Sequence, residues 1–481
     1  MRKNIIFYVN GEKHEVGDHR AGWMLADYLR YERGLTGTKI VCAEGDCGAC
    51  SVLRWHPYPS KTGAPRFLPV NSCIATVAQL DGSSLVTVEG LGRPDSLAPA
   101  QARMLEKHGS QCGFCTPGFV VAIAGLVEKK LCARDEHPIT EKEARNGLTG
   151  NLCRCTGYQQ ILEAATSVPL KQCQPAAERF LSARLAKELR AAVKEPVLIT
   201  APELEFYAPV TLKDAAQYLV ENKDARVLAA ATDLGVVHNK GRIRLSRVLS
   251  LHLVPELYEL AWNKSTLRVG ARVTLARLRT ALKEKAPEFS RFLDIFASPQ
   301  IKNVATLAGN VANASPIADT PPFLMISDAV VEAFGPKGMR RIPIDAFFTG
   351  YRQTALMPGE VIRAIELTPP RAGERWSVRK VSERKDLDIS SVNAAFRLGR
   401  QARGELRDVR LAMGGVAATT LRLRKTESVL EGRVLTPETI ERALETLRDE
   451  IKPISDVRGS DAFRQTLARN LLRRFLMEAR A

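Results

Sequence analysis

The period of the apolar positions changes three times along the chain. Ile5 to Val9 and His14 to Val16 are β-prone runs on either side of Asn10-Gly11, the strongest short hairpin signal. Trp23, Leu25, Ala26 and Leu29 then fall at helical spacing, and Val52-Leu53, Phe67-Leu68 and Leu85 to Val88 predict further strands. From about residue 97 the period becomes helical, through Leu97, Ala100, Met104 and Leu105 and again from Phe119 to Leu131. Thr116-Pro117 predicts an N-cap followed by proline at the first helical position, and Thr140-x-x-Glu143 a capping box. A charged helical run from Ala176 to Val193 lies among Pro169, Pro175 and Pro196.

After residue 200 the pattern is mixed. Val227 to Ala231 reads as a buried strand opening into Thr232-Asp233-Leu234-Gly235, and Val304 to Asn313 as a second strand-to-turn region. Ala394–Leu398 and Val409–Ala412 predict strands, and Pro437–Glu450 and Asp461–Arg480 two helices. The fold class expected is α+β multidomain: a β-grasp, ferredoxin-like domain over 1–88, an all-helical domain over 89–166, a linker over 167–200, an α/β domain over 201–370 and a small α+β domain over 371–481.

Length supports this division, since 481 residues exceed what one hydrophobic core holds. No N-terminal leader pattern is present, and the apolar stretch from Gly118 to Val127 stops at Glu128-Lys129-Lys130, too short for a bilayer; cytoplasm is the expected location. The net charge of +17 is spread in short groups such as Arg340-Arg341 and Arg473-Arg474. No nucleic-acid-binding motif accompanies them, so solvated faces and an acidic partner subunit are expected, with no nucleic acid and no membrane.

All ten cysteines lie between positions 42 and 173. A disulfide framework would not leave the remaining chain unstapled, so metal ligands or redox groups are indicated. Eight form two sets of four: Cys42, Cys47, Cys50 and Cys73, then Cys112, Cys115, Cys153 and Cys155. Cys132 and Cys173 stand alone and are expected to be small buried hydrophobes. Four thiolates suit a structural zinc or a [2Fe–2S] cluster; the C-x4-C-x2-C loop favours iron–sulfur, and zinc stays open on spacing alone.

The surrounding residues carry a resemblance. Gln111-Cys-Gly-Phe-Cys-Thr-Pro-Gly-Phe119 and Gly150-Asn-Leu-Cys-Arg-Cys-Thr-Gly-Tyr158 resemble the second-cluster signatures of the molybdenum hydroxylase (xanthine dehydrogenase) family, and the Cys42 loop with Asn71-Ser-Cys-Ile74 resembles its ferredoxin-type cluster. Residues 200–481 resemble its flavin domain, a non-Rossmann, CO-dehydrogenase-flavoprotein-like fold; no G-x-G-x-x-G occurs. The order of domains, ending before any molybdopterin domain, resembles the small chain of two-subunit members. The resemblance implies two [2Fe–2S] clusters, FAD, NAD as acceptor, a large molybdopterin-binding partner, a dimer of heterodimers and a role in purine catabolism. Substrate oxidation would fall to the partner, leaving no catalytic residue here, and Gln111 and Cys115 would face its pterin. Ala43 and Asp46 depart from the family's glycine-rich loop, and Gln159-Gln160 from its usual Arg-Pro. Asp46 is expected to lower the cluster potential modestly.

Taken alone, Ala229 to Gly235 and Thr306 to Asn310 are weak signals, small-residue turns where amides could cradle a diphosphate. The resemblance places Ala229, Ala230, Ala231, Thr232, Asp233, Leu234, Thr306, Gly309, Asn310, Asn313, Ser315, Asp319 and Ile362 around FAD, Phe296 on the isoalloxazine and Lys380 near its edge. Tyr351 and Arg352 match positions near the nicotinamide, and Asp386 and Asp388 a loop governing access to the flavin. Ala230 and Ala308 replace family glycines, so a positive φ at either would weaken FAD binding. Two other readings are a freestanding flavin/iron–sulfur diaphorase and a zinc-bound basic scaffold without redox function.

Overall fold

The computed structural model describes residues 1–59 and 66–480. It divides into two compact units, Met1–Tyr258 with Ser298–Ala305, and Glu259–Ala297 with Thr306–Ala481.

In the first unit, β1 (Ile5–Val9), β2 (Glu12–Val16), β3 (Ser51–Trp55), β4 (Leu68–Asn71) and β5 (Ser84–Val86) form one sheet in the order β2-β1-β5-β3-β4. β1 pairs antiparallel with β2 and parallel with β5, as a β-grasp requires. The hairpin turn is Asn10-Gly11 with φ 51° and 89°, the double left-handed geometry for which this dipeptide is suited. Phe7, Leu25, Leu29, Val52 and Leu85 close the core beneath it.

Four helices follow, Pro99–Glu106, Thr116–Cys132, Glu141–Leu148 and Gln159–Thr166. Thr116–Cys132 is apolar on all sides over Phe119 to Ile123 and accordingly buried. It begins one residue earlier than the sequence predicts: Cys115 takes the cap position, with Thr116 and Pro117 inside the first turn. The Thr140 capping box forms as expected, Thr140 Oγ1 accepting from Glu143 N–H at 3.2 Å.

Residues 167–200 are packed down. The expected single helix splits into Ala176–Phe180 and Ala183–Ala192, because Ser182 caps the second by accepting from Leu185 N–H. Phe180, Leu185 and Leu189 join the core of Phe119, and buried Glu128 accepts from the N–H groups of Phe67 and Ala176 at 3.1 and 2.8 Å. The unit is completed by β6 (Val197–Ala201), β7 (Leu204–Ala208), β8 (Arg226–Leu228) and β9 (Arg247–Ser250), in the order β6-β7-β9-β8. The strand expected over Val227–Ala231 ends at Leu228. As an edge strand paired on one side only, it leaves Val227 37% exposed.

In the second unit, β10 (Leu260–Asn263), β11 (Thr266–Gly270), β12 (Val330–Gly335), β13 (Gly338–Pro343), the short ribbon β14 (Phe348–Gly350) and β15 (Gln353–Thr354), and β16 (Val361–Leu367) follow in sequence. All but the ribbon make one sheet, β10-β11-β16-β12-β13. A meander of β17 (Arg375–Val381), β18 (Val392–Arg400), β19 (Leu406–Gly414) and β20 (Leu421–Arg422) packs Phe396 and Leu411 against the helices Pro437–Glu450 and Asp461–Arg480. The strand-to-turn reading of Val304–Asn313 is corrected. Leu307–Ala312 is a helix capped by Thr306, whose hydroxyl accepts from Gly309 N–H at 3.0 Å. Six residues are too few for helical periodicity to show in sequence. Among the described residues no helix is long and apolar enough to cross a membrane.

Candidate functional site

The Cys42–Cys50 loop turns its carbonyls outward. Gly45 and Gly48 (φ 80° and 67°) and Ala43 (φ 53°) adopt left-handed conformations that wrap the chain into a cup. A Cβ at Ala43 in that region costs about 1–2 kcal/mol, which the surrounding hydrogen bonds offset. The outward carbonyls are captured one by one. Asn239 Nδ2 donates to Ala43 O at 2.8 Å, Asn71 Nδ2 to Gly45 O, and Lys39 N–H to Ala49 O at 3.3 Å. Ser72 donates its hydroxyl to Cys50 O at 2.7 Å. With the carbonyls held outside, amides face inward; Glu44 N–H lies 3.4 Å from Cys42 Sγ. This is the anion nest that sulfur ligands need.

Inside the cup the four sulfurs approach in one connected run. Cys42 is within hydrogen-bonding reach of Cys47 and Cys73, and Cys50 of Cys73. These thiol partners hold Cys42 and Cys50 below the ordinary thiol range, and Cys42 in turn drives Cys47 and Cys73 upward.

The second set repeats the chemistry in a more open setting. Cys155 and Cys112 sulfurs are 3.6 Å apart, and Cys115 pairs with Cys153. The N–H of Phe114, then the Cys155 thiol, lower Cys112. Burial opposes ionisation of Cys153, but the hydroxyl of Thr156 at 3.2 Å and its N–H at 3.5 Å bring it below the usual value. Cys115 sits at the positive end of the Thr116–Cys132 helix. Tyr158, left-handed at φ 71°, accepts Cys153 N–H on its phenol oxygen at 2.9 Å.

Four converging sulfurs in each set, with amides and a hydroxyl aimed at them, fit a [2Fe–2S] cluster. The two sets also meet. Leu152, next to Cys153, donates its N–H to Cys47 O at 3.0 Å, and Asn151 Nδ2 donates to Gly48 O at 3.1 Å. Buried Gln300 donates to Asn151 Oδ1 at 2.7 Å and so locks the junction. A Cβ at Gly48 would stand 2.3 Å from Gly150 O, and one at Gly118 2.4 Å from Gly48 O. These loops close only because both positions lack a side chain.

In the first unit the residues Ala229, Ala230, Ala231, Thr232 and Asp233 form the turn between β8 and the helix Leu234–Asn239. The left-handed residue is Ala231, at φ 59°; Ala230 and Ala308 have ordinary backbone, and Ala308 lies inside a helix. The condition for strain is therefore not met at Ala230 or Ala308, and the positive φ of this turn falls at Ala231. In the second unit Thr306, Gly309, Asn310 and Asn313 lie on or beside the Leu307–Ala312 helix, and Asn310 Oδ1 accepts from the Thr320 hydroxyl at 2.6 Å. Asp319 is tied down by Lys380 Nζ at 2.5 Å, Ser390 Oγ at 2.6 Å and Asn393 Nδ2 at 3.1 Å. The Lys380 side chain is 1% exposed, so it is no surface charge. Phe296 is half-buried on the turn after the Pro287–Phe292 helix, Ser315 is half-buried and Ile362 is buried on β16. Tyr351 and Arg352 lie exposed at the β14–β15 turn. Asp386 and Asp388 accept from neighbouring backbone N–H groups at 2.8 to 2.9 Å.

Sequence reasoning missed Asn239, Asn151 and Gln300. Each is an uncharged carboxamide contacting a loop far away in the chain; Asn151 lies inside the Gly150–Tyr158 motif, but its bond to Gly48 has no local signal, and Asn239 and Gln300 lie in no motif.

Residues 87–166 match a [2Fe–2S] binding domain, residues 202–370 the FAD binding domain in molybdopterin dehydrogenase, and residues 377–479 the CO dehydrogenase flavoprotein C-terminal domain. Xanthine dehydrogenase 1 of Arabidopsis thaliana is 31% identical over 98% of this chain and 39% of its own length. Xanthine dehydrogenase/oxidase of Gallus gallus is 29% identical over 98% of this chain and 40% of its own. Carbon monoxide dehydrogenase from Hydrogenophaga pseudoflava is similar in structure at TM-score 0.55 and 26% identity, over 57% of this chain and 96% of that one. Quinoline 2-oxidoreductase from Pseudomonas putida 86 gives 0.53 and 28%, over 58% and 96%.

Fold, thiol sets and matched domains correspond to the iron–sulfur and FAD electron-transfer portions of the molybdenum hydroxylase class. Over nearly its whole length the chain is similar to the iron–sulfur and FAD portions of xanthine dehydrogenases. It spans about two fifths of the length of the curated relatives it matches. Nothing in these relatives supports a zinc scaffold or a freestanding diaphorase.

Proposed function

We propose that this chain is the electron-transfer subunit of an NAD-dependent xanthine dehydrogenase acting in purine catabolism in the cytoplasm. Cys42, Cys47, Cys50 and Cys73 hold one [2Fe–2S] cluster, and Cys112, Cys115, Cys153 and Cys155 a second. The residues that would hold FAD are Ala229–Leu234 in the first unit and Phe296, Thr306, Gly309, Asn310, Asn313, Ser315, Asp319, Ile362 and Lys380 in the second, each set assigned within its own unit. When bound, the clusters supply one-electron relay and the flavin a two-electron exchange with NAD.

The observation that carries this reading is the junction of the thiol loops, Leu152 N–H to Cys47 O at 3.0 Å, which makes the two sets one continuous bonded structure. The chain's own residues donate hydrogen bonds to sulfur, exclude water from the inner set and fix its wrap. The outer set is rimmed by exposed apolar side chains, Phe114 at 50%, Leu152 at 43% and Tyr158 at 37%. Such a collar is suited to docking, here on a large molybdopterin-binding subunit, in a heterotetramer of two such pairs. Gln111 sits beside that collar.

Anaerobic reduction of the purified chain by NADH, followed by electron paramagnetic resonance, tests the reading. Two distinct [2Fe–2S] signals are expected, with bleaching of the flavin band. A colourless protein, or a single signal, would sink it.

A further inference from the structure

Asn239, the last residue of the Leu234–Asn239 helix, donates from Nδ2 to two carbonyls at once, Ala43 O and Cys73 O, both at 2.8 Å. Both partners are acceptors, so only the NH2 end of the carboxamide can face them. The two carbonyls come from distant parts of the inner thiol set: Ala43 follows Cys42, and Cys73 is the fourth thiol, thirty-one residues on in sequence from Cys42. The helix is pinned at both ends. A Cβ at Gly235 would stand 2.3 Å from Ile74 O, and Lys240 pairs with Glu44 at 3.1 Å.

The consequence follows from the planarity of the peptide unit. Ala43 C=O and Glu44 N–H belong to the same plane and point in opposite directions. While Asn239 holds the carbonyl outward, the N–H is aimed at Cys42 Sγ, 3.4 Å away. Release of the carbonyl frees the Ala43–Glu44 peptide to rotate, and its left-handed Ala43 favours that rotation. Hydrogen bonds to the sulfurs are among the features that set the potential of an iron–sulfur cluster.

We propose that Asn239 is a positioning residue for the inner cluster, setting its potential through the Ala43–Glu44 peptide. Its helix begins one residue after Asp233, so it ties the cluster loop directly to the candidate flavin turn. The proposal rests on reading the inner thiols as a cluster site. A redox titration of the full chain, with dithionite and mediators and read by electron paramagnetic resonance, tests it. Asn239→Leu, of similar size but without a donor, is expected to shift the reduction equilibrium of the inner cluster about tenfold toward the oxidised form, about 59 mV for one electron. The g-values of that cluster should move while the outer signal stays unchanged. Asn239→Gln, which keeps the NH2 group, should shift it less than about threefold by the same hydrogen-bond argument, and serves if the leucine variant does not fold. Two native signals with an inner midpoint unmoved in Asn239→Leu, or moved equally in both variants, overturn the proposal alone. A native protein without an inner-cluster signal overturns the underlying reading as well.

Discussion

Cys50 and Cys73 are each 2% exposed, inside a loop whose carbonyls are held by residues from as far away as Asn239, whereas Cys112 and Cys155 lie at the surface beside Phe114 and Leu152. The ligand number is the same and the surroundings are opposite. The inner set takes its donors mainly from backbone amides aligned by captured carbonyls, while the outer set adds a side-chain hydroxyl, that of Thr156. A site enclosed by its own chain suits an intermediate station, and a site with an apolar rim suits an end that meets a partner.

The largest expected break in this contrast is Gly48→Val. Its branched side chain would overlap Gly150 O and occupy a φ of 67°, costing about 3–5 kcal/mol. Both sets should lose iron together, measured as iron and acid-labile sulfide per chain. Gly113→Ala, at φ 80° with its nearest neighbour 3.8 Å from the added carbon, should cost only about 1–2 kcal/mol and spare the inner set.

Acid acts next, on the inner domain. His14 is buried against Phe7, with Nδ1 3.0 Å from the Tyr28 hydroxyl; burial first, then the Arg33 charge, lower its pKa to about 4. The unfolded chain takes up this proton near pH 6.5, the folded one only near 4. Stability from this residue is therefore full above 6.5 and declines as pH falls through that window, by about 3 kcal/mol in all. Urea midpoints across pH 7 to 4 should fall for the native protein and fall less for His14→Phe; parallel curves would contradict the assignment.

Thr156→Val sharpens the comparison from the other side. Losing the hydroxyl donor to Cys153 Sγ should lower the outer potential by about 40–65 mV, from about 1–1.5 kcal/mol of hydrogen bond, and leave the inner one in place. Asp46→Asn should do least. Asp46 is exposed, so water and salt screen its charge, and the inner potential should rise by less than about 20 mV at physiological ionic strength. A larger rise would mean that the loop is drier than its exposure indicates.

The gathering of eight cysteines into two sets was legible in sequence because close cysteine spacing is a local signal, and the Asn10-Gly11 hairpin and Thr140 capping box were legible for the same reason. The boundaries of β18 and β19 were foreseen only at their centres. What escaped was non-local. Asn239 reaches Ala43 across 196 positions, and Gln300 reaches Asn151 across 149. The left-handed alanine is Ala231, one residue beyond the position that comparison of glycines suggested, because the path of a turn depends on where β8 ends.

The capture of the inner loop by downstream residues also constrains biosynthesis. Until the ribosome has released residue 239, Ala43 O and Cys73 O have only water as partner, and until residue 152 emerges Cys47 O does as well. The inner pocket therefore becomes rigid late, after half of the chain has been made. Nascent chains stalled before residue 239 should retain a cluster more poorly than the finished chain.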